Sequence, residues 1–196
     1  MVETQRQTAT ATACRGDAPR LVVIGCGNAL AGDDSFGVEF VRRLSAAAHG
    51  ESDCTLREAS NAGPELLETF QQADLVLFAD AVNTGWPAGT LHLVPLPWPG
   101  MESRGLAALS GHGWSLGETL RLAETLGRRL PRLLLLGVEL EDVAPGSPRS
   151  RVVESALERA VRAFPLLVAL ARNPDASVWR WPRHFLPEDD RFPGGP

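Results

Sequence analysis

Lysine and tyrosine are absent from the 196-residue chain, so all 19 basic residues are arginine. A protein without lysine cannot form a Schiff base through a side-chain amine, anchor pyridoxal phosphate or build the lysine-bearing phosphate loop of many nucleotide-binding proteins. The formal net charge of −5 argues against a nucleic-acid partner, because nucleic-acid binding normally requires a basic face. No apolar run is long enough to span a membrane, so no membrane partner is expected.

Cysteine is scarce, with Cys14, Cys26 and Cys54 far apart and no C-x-x-C pair. Residues 1–19 are polar and lack the apolar segment of a secretory signal, so we expect reduced thiols and a cytoplasmic protein. Cys26 ends an apolar run. A role as a nucleophile is one interpretation, but a small buried apolar residue is the favoured one.

From residue 21 onward, short apolar runs alternate with helical periodicities, which is typical of an α/β domain. We predict five strands: Leu21–Cys26, Cys54–Glu58, Leu75–Ala79, Thr90–Val94 at a sheet edge, and Leu133–Val138. We predict four helices, beginning at Asp34, Pro64, Ser115 and Arg151, the last ending near Arg172 and kinked or split by Pro165. The expected organisation is a disordered leader (1–19), one α/β domain (20–172) and an irregular tail rich in Pro, Trp and Arg (173–196).

A glycine turn, Gly25–Leu30, follows the first strand but lacks the third glycine of a dinucleotide-binding fingerprint. Two acids, Asp33 and Asp34, come next, at a strand-to-helix junction on the edge where open α/β sheets bind ligands. Asp34 is therefore either a helix N-cap or a functional carboxylate, and taken alone the cap is favoured.

Two further residues are candidates for the same edge. Glu58 ends the second predicted strand, and His112 lies between two glycines directly before a predicted helix. Two carboxylates and one imidazole from separate loops form an open site for a divalent metal such as zinc, nickel or iron. Without a dense ligand motif, this spacing is a weak signal by itself.

A serine motif offers a competing interpretation. Residues 113–117 match the G-x-S-x-G pattern of hydrolase nucleophiles, with Ser115 at its centre. That pattern should follow a buried strand, which the preceding residues do not form. Ser115 followed by Glu118 is also a capping box, and this interpretation is favoured.

Taken together, several segments resemble the hydrogenase maturation endopeptidases, which process the large subunit of nickel-iron hydrogenases. The matching segments are Val23–Val38, Glu58–Leu67, Phe78–Ala81, Ser110–His112 and Leu136–Glu139. The resemblance implies a three-layer α/β/α fold with a mixed five-stranded sheet of order 2-1-3-5-4, in which strand 4 is antiparallel. It also implies that Asp34, Glu58 and His112 bind metal, which favours Asp34 as a ligand over Asp34 as a cap.

The activity implied by the resemblance is a single endoproteolytic cut that removes a C-terminal peptide from the large-subunit precursor after nickel is loaded. Nickel would be carried by that precursor and act as the recognition element, and the protease would be a monomer. Glu58 and the two residues after it depart from the Asp-Gly-Gly of many family members, so Asn61 could share or replace the role of Glu58. The alternatives are a non-catalytic nickel-sensing chaperone of the same fold and, less favoured, a serine hydrolase using Ser115.

Overall fold

The computed structural model describes residues 20–47, 54–60, 63–96 and 116–172, which form one sheet and four α-helices. The strands, in chain order, are β1 (Leu21–Cys26), β2 (Cys54–Ala59), β3 (Leu75–Val82), β4 (Leu91–Leu96) and β5 (Arg132–Glu139). The α-helices are α1 (Phe36–Ala46), α2 (Leu66–Gln72), α3 (Leu116–Thr125) and α4 (Arg151–Arg172). A 3₁₀ helix, Gly32–Ser35, runs directly into α1.

The sheet has the order β2-β1-β3-β5-β4, with β4 antiparallel to β5 and the other neighbours parallel. The predicted topology is therefore confirmed. β4 lies at the sheet edge, where Pro95 needs no ladder partner on its outer side. The parallel strands β2, β1, β3 and β5 all end on one side of the sheet, called here the carboxyl edge.

Helices cover both faces of the sheet, which confirms the three layers. Side chains alternate between the faces along each strand, so each strand contributes to two separate cores. On the α1–α4 face, strand residues such as Val23, Leu77 and Leu136 pack with Phe40 of α1 and Leu157 of α4. On the α2–α3 face, the core includes the following residues: Ile24, Cys26, Phe78, Leu135, Phe70 of α2 and Leu120 of α3.

Two differences from the sequence prediction concern β3 and α4. β3 continues to Val82, so Asp80 lies within the strand rather than just after it. α4 runs unbroken through Pro165, and the predicted split is wrong. The ring of Pro165 is exposed while Phe164 and Leu167 on either side are buried, so packing holds the helix across the missing hydrogen bond.

No helix in the described part of the chain is long and apolar enough to cross a membrane. The predicted leader (1–19) and tail (173–196) lie outside the described residues.

Candidate active site

Helix α1 approaches the carboxyl edge closely because glycines meet there. A Cβ atom on Gly37 would lie 2.0 Å from the carbonyl oxygen of Ala79 in β3 and 2.4 Å from that of Cys26 in β1. A Cβ on Gly25 would lie 2.0 Å from the carbonyl oxygen of Gly37. Ordinary van der Waals contact begins at 3.4 Å, so no larger residue fits at this crossing. The close crossing brings the 3₁₀ helix against β3 at the carboxyl edge.

Asp34, in that 3₁₀ helix, folds back onto the glycine turn. Gly27 has a φ of +117°, and a Cβ there would lie 1.9 Å from the backbone oxygen of Asp34. The backbone N–H of Asn28 donates to Oδ2 of Asp34 at 2.8 Å, and Asn28 in turn accepts the N–H of Leu30 at 2.9 Å. The N-cap residue of α1 is Ser35, and no side chain caps the helix. The N-cap interpretation of Asp34 is therefore wrong, and its half-buried carboxylate faces the turn instead.

Asp33, the other member of the acidic pair, has a structural role. Its side chain is fully buried. Oδ2 accepts the backbone N–H groups of Glu141 at 2.8 Å and Asp142 at 3.0 Å, and Oδ1 accepts that of Ser150 at 2.7 Å. Asp33 thus ties the 3₁₀ helix to the segment between β5 and α4. The two adjacent acids serve different purposes, and only Asp34 is available to a ligand.

Asp80 is a carboxylate of this region for which the sequence pattern predicts no role. It lies on β3 between Phe78 and Val82, which both belong to the core on the α2–α3 face, so its side chain lies on that face. Oδ1 accepts the backbone N–H of Ala81 at 2.9 Å. Burial, together with the negative charge of Asp34, raises the pKa of Asp80 well above its usual value. One sequence signal could have pointed to Asp80, namely its position in Phe78–Ala81, a segment that resembles the family.

Cys26, at the end of β1, is buried on the same face. Burial raises the pKa of its thiol, and the charges of Asp80, Asp34 and Glu65 raise it further. A thiolate is the reactive form of cysteine, so these surroundings make Cys26 a poor nucleophile. The interpretation as a small buried apolar residue is confirmed.

Glu58 lies where predicted along the chain, near the end of β2, but its carboxylate is bound by an arginine. Arg42 of α1 donates through Nε to Oε1 at 3.1 Å and through Nη2 to Oε2 at 2.9 Å. Glu58 pairs in register with Gly25, whose Cβ position faces α1. In this arrangement Glu58 belongs to the α1–α4 face, whereas Asp80 lies on the opposite one.

His112, Asn61 and Ser115 all lie outside the described residues, so their side chains are not placed. The capping box of Ser115 with Glu118 falls partly outside them as well. α3 begins at Leu116, four positions after His112, and packs through Leu116 and Leu120 on the α2–α3 face. α3 therefore lies on the face that carries Asp80.

The described part of the chain contains no group of three or more His, Cys, Asp or Glu side chains arranged to hold a metal. His112 lies outside that part of the chain, so the predicted ligand set of Asp34, Glu58 and His112 stays a prediction. Asp34 still fits such a role chemically, because its carboxylate has no basic partner among the described side chains and oxygen ligands suit divalent cations.

A second polar cluster occupies the α2–α3 face nearer β4. Glu139, at the end of β5, is buried and accepts hydrogen bonds from the hydroxyl and backbone N–H of Thr84, and its Oε1 lies 3.0 Å from Nε2 of His92. The ring of Trp86 contacts His92 edge to face. Burial acts to raise the pKa of Glu139, but the hydrogen bonds from His92 and Thr84 outweigh it and lower the pKa. This cluster ties the β3–β4 connection to β5.

The fold is that of a class of maturation endopeptidases. The family model described as hydrogenase maturation protease matches residues 38–164 of the chain, which therefore belongs to the hydrogenase maturation protease family.

Individual relatives agree with this assignment. The chain is 32% identical over 169 residues to the hydrogenase expression/formation protein HoxM of Azotobacter vinelandii, covering 81% of this chain and 80% of that protein. Among solved structures, it is similar to the hydrogenase maturating endopeptidase HybD from E. coli, with a TM-score of 0.60, 25% identity, and 77% and 91% of the two chains covered. The maturation protease HycI from Thermococcus kodakarensis gives a TM-score of 0.56 at 25% identity, over 80% and 95%.

Proposed function

We propose that this protein removes the C-terminal peptide from a nickel-iron hydrogenase large-subunit precursor once nickel has been inserted. Membership of the maturation protease family supports the reaction type. The position of Asp34 is the observation that locates the proposed site. The close glycine crossing holds Asp34 at the carboxyl edge, and its carboxylate has no basic partner among the described side chains.

Asp34 is suited to recognise a cation that arrives with the substrate. The N–H of Asn28 fixes one carboxylate oxygen, and the glycine turn fixes the backbone behind it. The remaining oxygen is oriented before the substrate binds, which reduces the cost of ordering it. Nickel carried by the precursor is the cation proposed here, so the protease would recognise only a loaded precursor.

Glu58 and His112 complete the proposed ligand set. The ion pair of Glu58 with Arg42 is solvent-exposed, with both side chains about half accessible (45% and 50%), so its rearrangement carries little penalty. Glu58 must leave Arg42 to reach the site. His112, the third proposed ligand, comes four positions before α3 in the chain. Asp34, Glu58 and His112 would hold the metal, which would supply Lewis-acid chemistry by polarising the scissile carbonyl or activating a water.

The test is co-expression of the full chain with its cognate large-subunit precursor, followed by mass determination of the large subunit. The wild-type protein should shorten the nickel-loaded precursor, and the Asp34→Asn and His112→Ala variants should leave it at full length. Asp74→Asn is the matched control, because Asp74 is an exposed carboxylate paired with Arg20 at the opposite edge of the sheet.

Normal processing by both Asp34→Asn and His112→Ala would contradict the proposed site. A folded wild-type protein that binds the nickel-loaded precursor without shortening it would instead indicate a nickel-sensing chaperone. Loss of processing in Ser115→Ala, with folding intact and Asp34→Asn active, would indicate a serine hydrolase.

A further inference from the structure

Leu30, at the end of the glycine turn, is an exposed apolar residue beside the candidate site. It is 77% exposed, more than any other large apolar residue that the structure describes. Single exposed apolar residues are ordinary on protein surfaces, so this exposure indicates nothing by itself. The fixed position of Leu30 and the residues around it distinguish it from the others.

Hydrogen bonds hold the turn that carries Leu30. Its backbone N–H donates to Oδ1 of Asn28 at 2.9 Å, and its carbonyl oxygen accepts the N–H of Gly146 at 2.8 Å. The N–H of Asn28 donates to the carboxylate of Asp34, so a single residue links Leu30 to the candidate carboxylate. The backbone of Leu30 is therefore fixed before a partner binds, which lowers the entropic cost of binding there.

A second apolar stretch, Val143–Pro145, lies beside the turn in the segment between β5 and α4. The N–H of Asp33, three residues after Leu30, donates to the carbonyl oxygen of Asp142 at 2.9 Å, so the two segments run side by side. Contiguous exposed apolar residues at one place on a surface are typical of a region that binds another protein. The exposed residues of the two segments are called here the Leu30 patch: Ala29, Leu30, Val143, Ala144 and Pro145.

Two other exposed leucines lie away from the carboxyl edge. Leu126 directly follows α3, close in the chain to the start of β5, and is therefore near the opposite edge of the sheet. Leu166 lies in the second half of α4, which begins near the carboxyl edge and runs back along the sheet. Leu126 is 53% exposed, so it provides a matched control for Leu30.

We propose that the Leu30 patch is the surface on which the hydrogenase large-subunit precursor docks for processing. This inference rests on the proposed function and extends it from the candidate carboxylate to the surface around it. A precursor whose cation reaches Asp34 must bring the chain around that cation against the glycine turn, since Asn28 joins the two. The patch is therefore continuous with the place where the substrate is expected.

The chemistry of the patch defines the surface of the precursor that fits it. The patch itself is apolar, and the exposed acids Glu141 and Asp142 directly precede Val143 in the chain. Complementary charges across an interface favour the correct partner and its orientation. The matching surface of the precursor is therefore apolar next to its nickel and bordered by basic side chains.

The test is the initial rate at which the full-length protein shortens purified nickel-loaded precursor, measured over a range of precursor concentrations. Leu30→Ser should raise KM at least about tenfold and leave kcat nearly unchanged, because it removes the burial of one leucine side chain on docking. Leu30→Met keeps an apolar side chain of similar size, so its KM should stay within about threefold of wild type. The control Leu126→Ser should leave KM within about twofold of wild type.

A thermal melt of each variant separates docking from structure. Leu30 is exposed, and its hydrogen bonds to Asn28 and Gly146 use main-chain atoms that every variant keeps. Leu30→Ser should therefore melt within about 2 °C of wild type while its KM rises.

A KM for folded Leu30→Ser within about twofold of wild type would overturn the inference. An equal rise of KM in Leu126→Ser, or a loss confined to kcat in Leu30→Ser, would overturn it as well. Self-association of the wild type that Leu30→Ser abolishes, with KM unchanged, would assign the patch to a second copy of this chain instead.

The proposed function is reported separately by the shortened product. If the wild type shortens the precursor and Asp34→Asn does not, while Leu30→Ser has a normal KM, only the docking surface fails. If the wild type never shortens the precursor, the proteolytic function fails. The Kd values of the wild type and Leu30→Ser for the nickel-loaded precursor, measured by titration, then decide the docking surface alone.

Discussion

Substitution of the two adjacent acids, one at a time, should separate stability from activity. Asp33 is fully buried and accepts three backbone N–H groups, from Glu141, Asp142 and Ser150. Asp34 is half-buried and accepts one, from Asn28. Asp33→Ala should therefore destabilise the fold and Asp34→Asn should not, although the residues differ by one position in the chain.

The expected loss of folding stability follows from the three backbone N–H donors that lose their acceptor when Asp33 is replaced. Each buried N–H that loses its acceptor costs about 1–3 kcal/mol, and water can reach some of these partly buried donors, so we expect Asp33→Ala to cost about 3–5 kcal/mol. Asp33→Asn keeps one oxygen for Glu141 and Asp142 but turns an NH₂ group toward Ser150, so about 1–3 kcal/mol is expected.

The assay is urea unfolding followed by circular dichroism, with precursor processing measured on the same preparations. We expect Asp34→Asn to unfold within about 1 kcal/mol of wild type, since it loses at most one hydrogen bond, and to be inactive. If Asp33→Ala is as stable as wild type, the described role of Asp33 is wrong. If Asp34→Asn unfolds as readily as Asp33→Ala, its inactivity says nothing about the site.

Three further outcomes are expected. Gly37→Ala should destabilise the protein by about 3 kcal/mol or more in urea unfolding, because its Cβ would lie 2.4 Å from the carbonyl oxygen of Cys26. Gly85→Ala is the control for backbone strain alone, because the added Cβ has open space there but φ is +92°. An equal loss of folding stability in Gly85→Ala would contradict the explanation that the Cβ of Gly37→Ala collides with the strand backbone. Because the pKa of Glu139 is lowered in the folded protein, its ionised carboxylate stabilises the fold above pH 4.5, and this contribution is lost as the pH falls below that value. Glu139→Gln should therefore reduce the loss of folding stability at acid pH. An unchanged loss would refute this prediction. Arg42→Ala should leave the melting temperature nearly unchanged, since the pair is exposed, and should raise nickel affinity if Glu58 joins the site; unchanged affinity would exclude Glu58.

The sheet could be predicted because its strands are strongly apolar and their order followed from family resemblance. β1 was predicted with the bounds that it has, since both of its faces are buried and every residue is apolar or small. The apolar run alone predicts a β3 that ends at Ala79, whereas the strand continues through Asp80 to Val82. A carboxylate can lie within a strand, and the burial of Asp80 comes from packing against residues distant in the chain, which the local sequence does not reveal.

The site was only partly predictable for the same reason. The position of the adjacent Asp33 and Asp34 after β1 indicates a functional edge of the sheet. It does not reveal that Asp33 faces the segment between β5 and α4 while Asp34 faces the glycine turn. The ion pair that holds Glu58 depends on where α1 packs, which the sequence does not state. Both distinctions rest on the approach of Gly37 to β1 and β3, a contact between residues distant in the chain.

The most direct test of the central claim is the mass of the hydrogenase large subunit after co-expression with this protein, in the presence and absence of nickel. We expect a shortened subunit only with nickel and wild-type protein, and a full-length subunit with the folded Asp34→Asn variant. A shortened subunit in the presence of folded Asp34→Asn would contradict it.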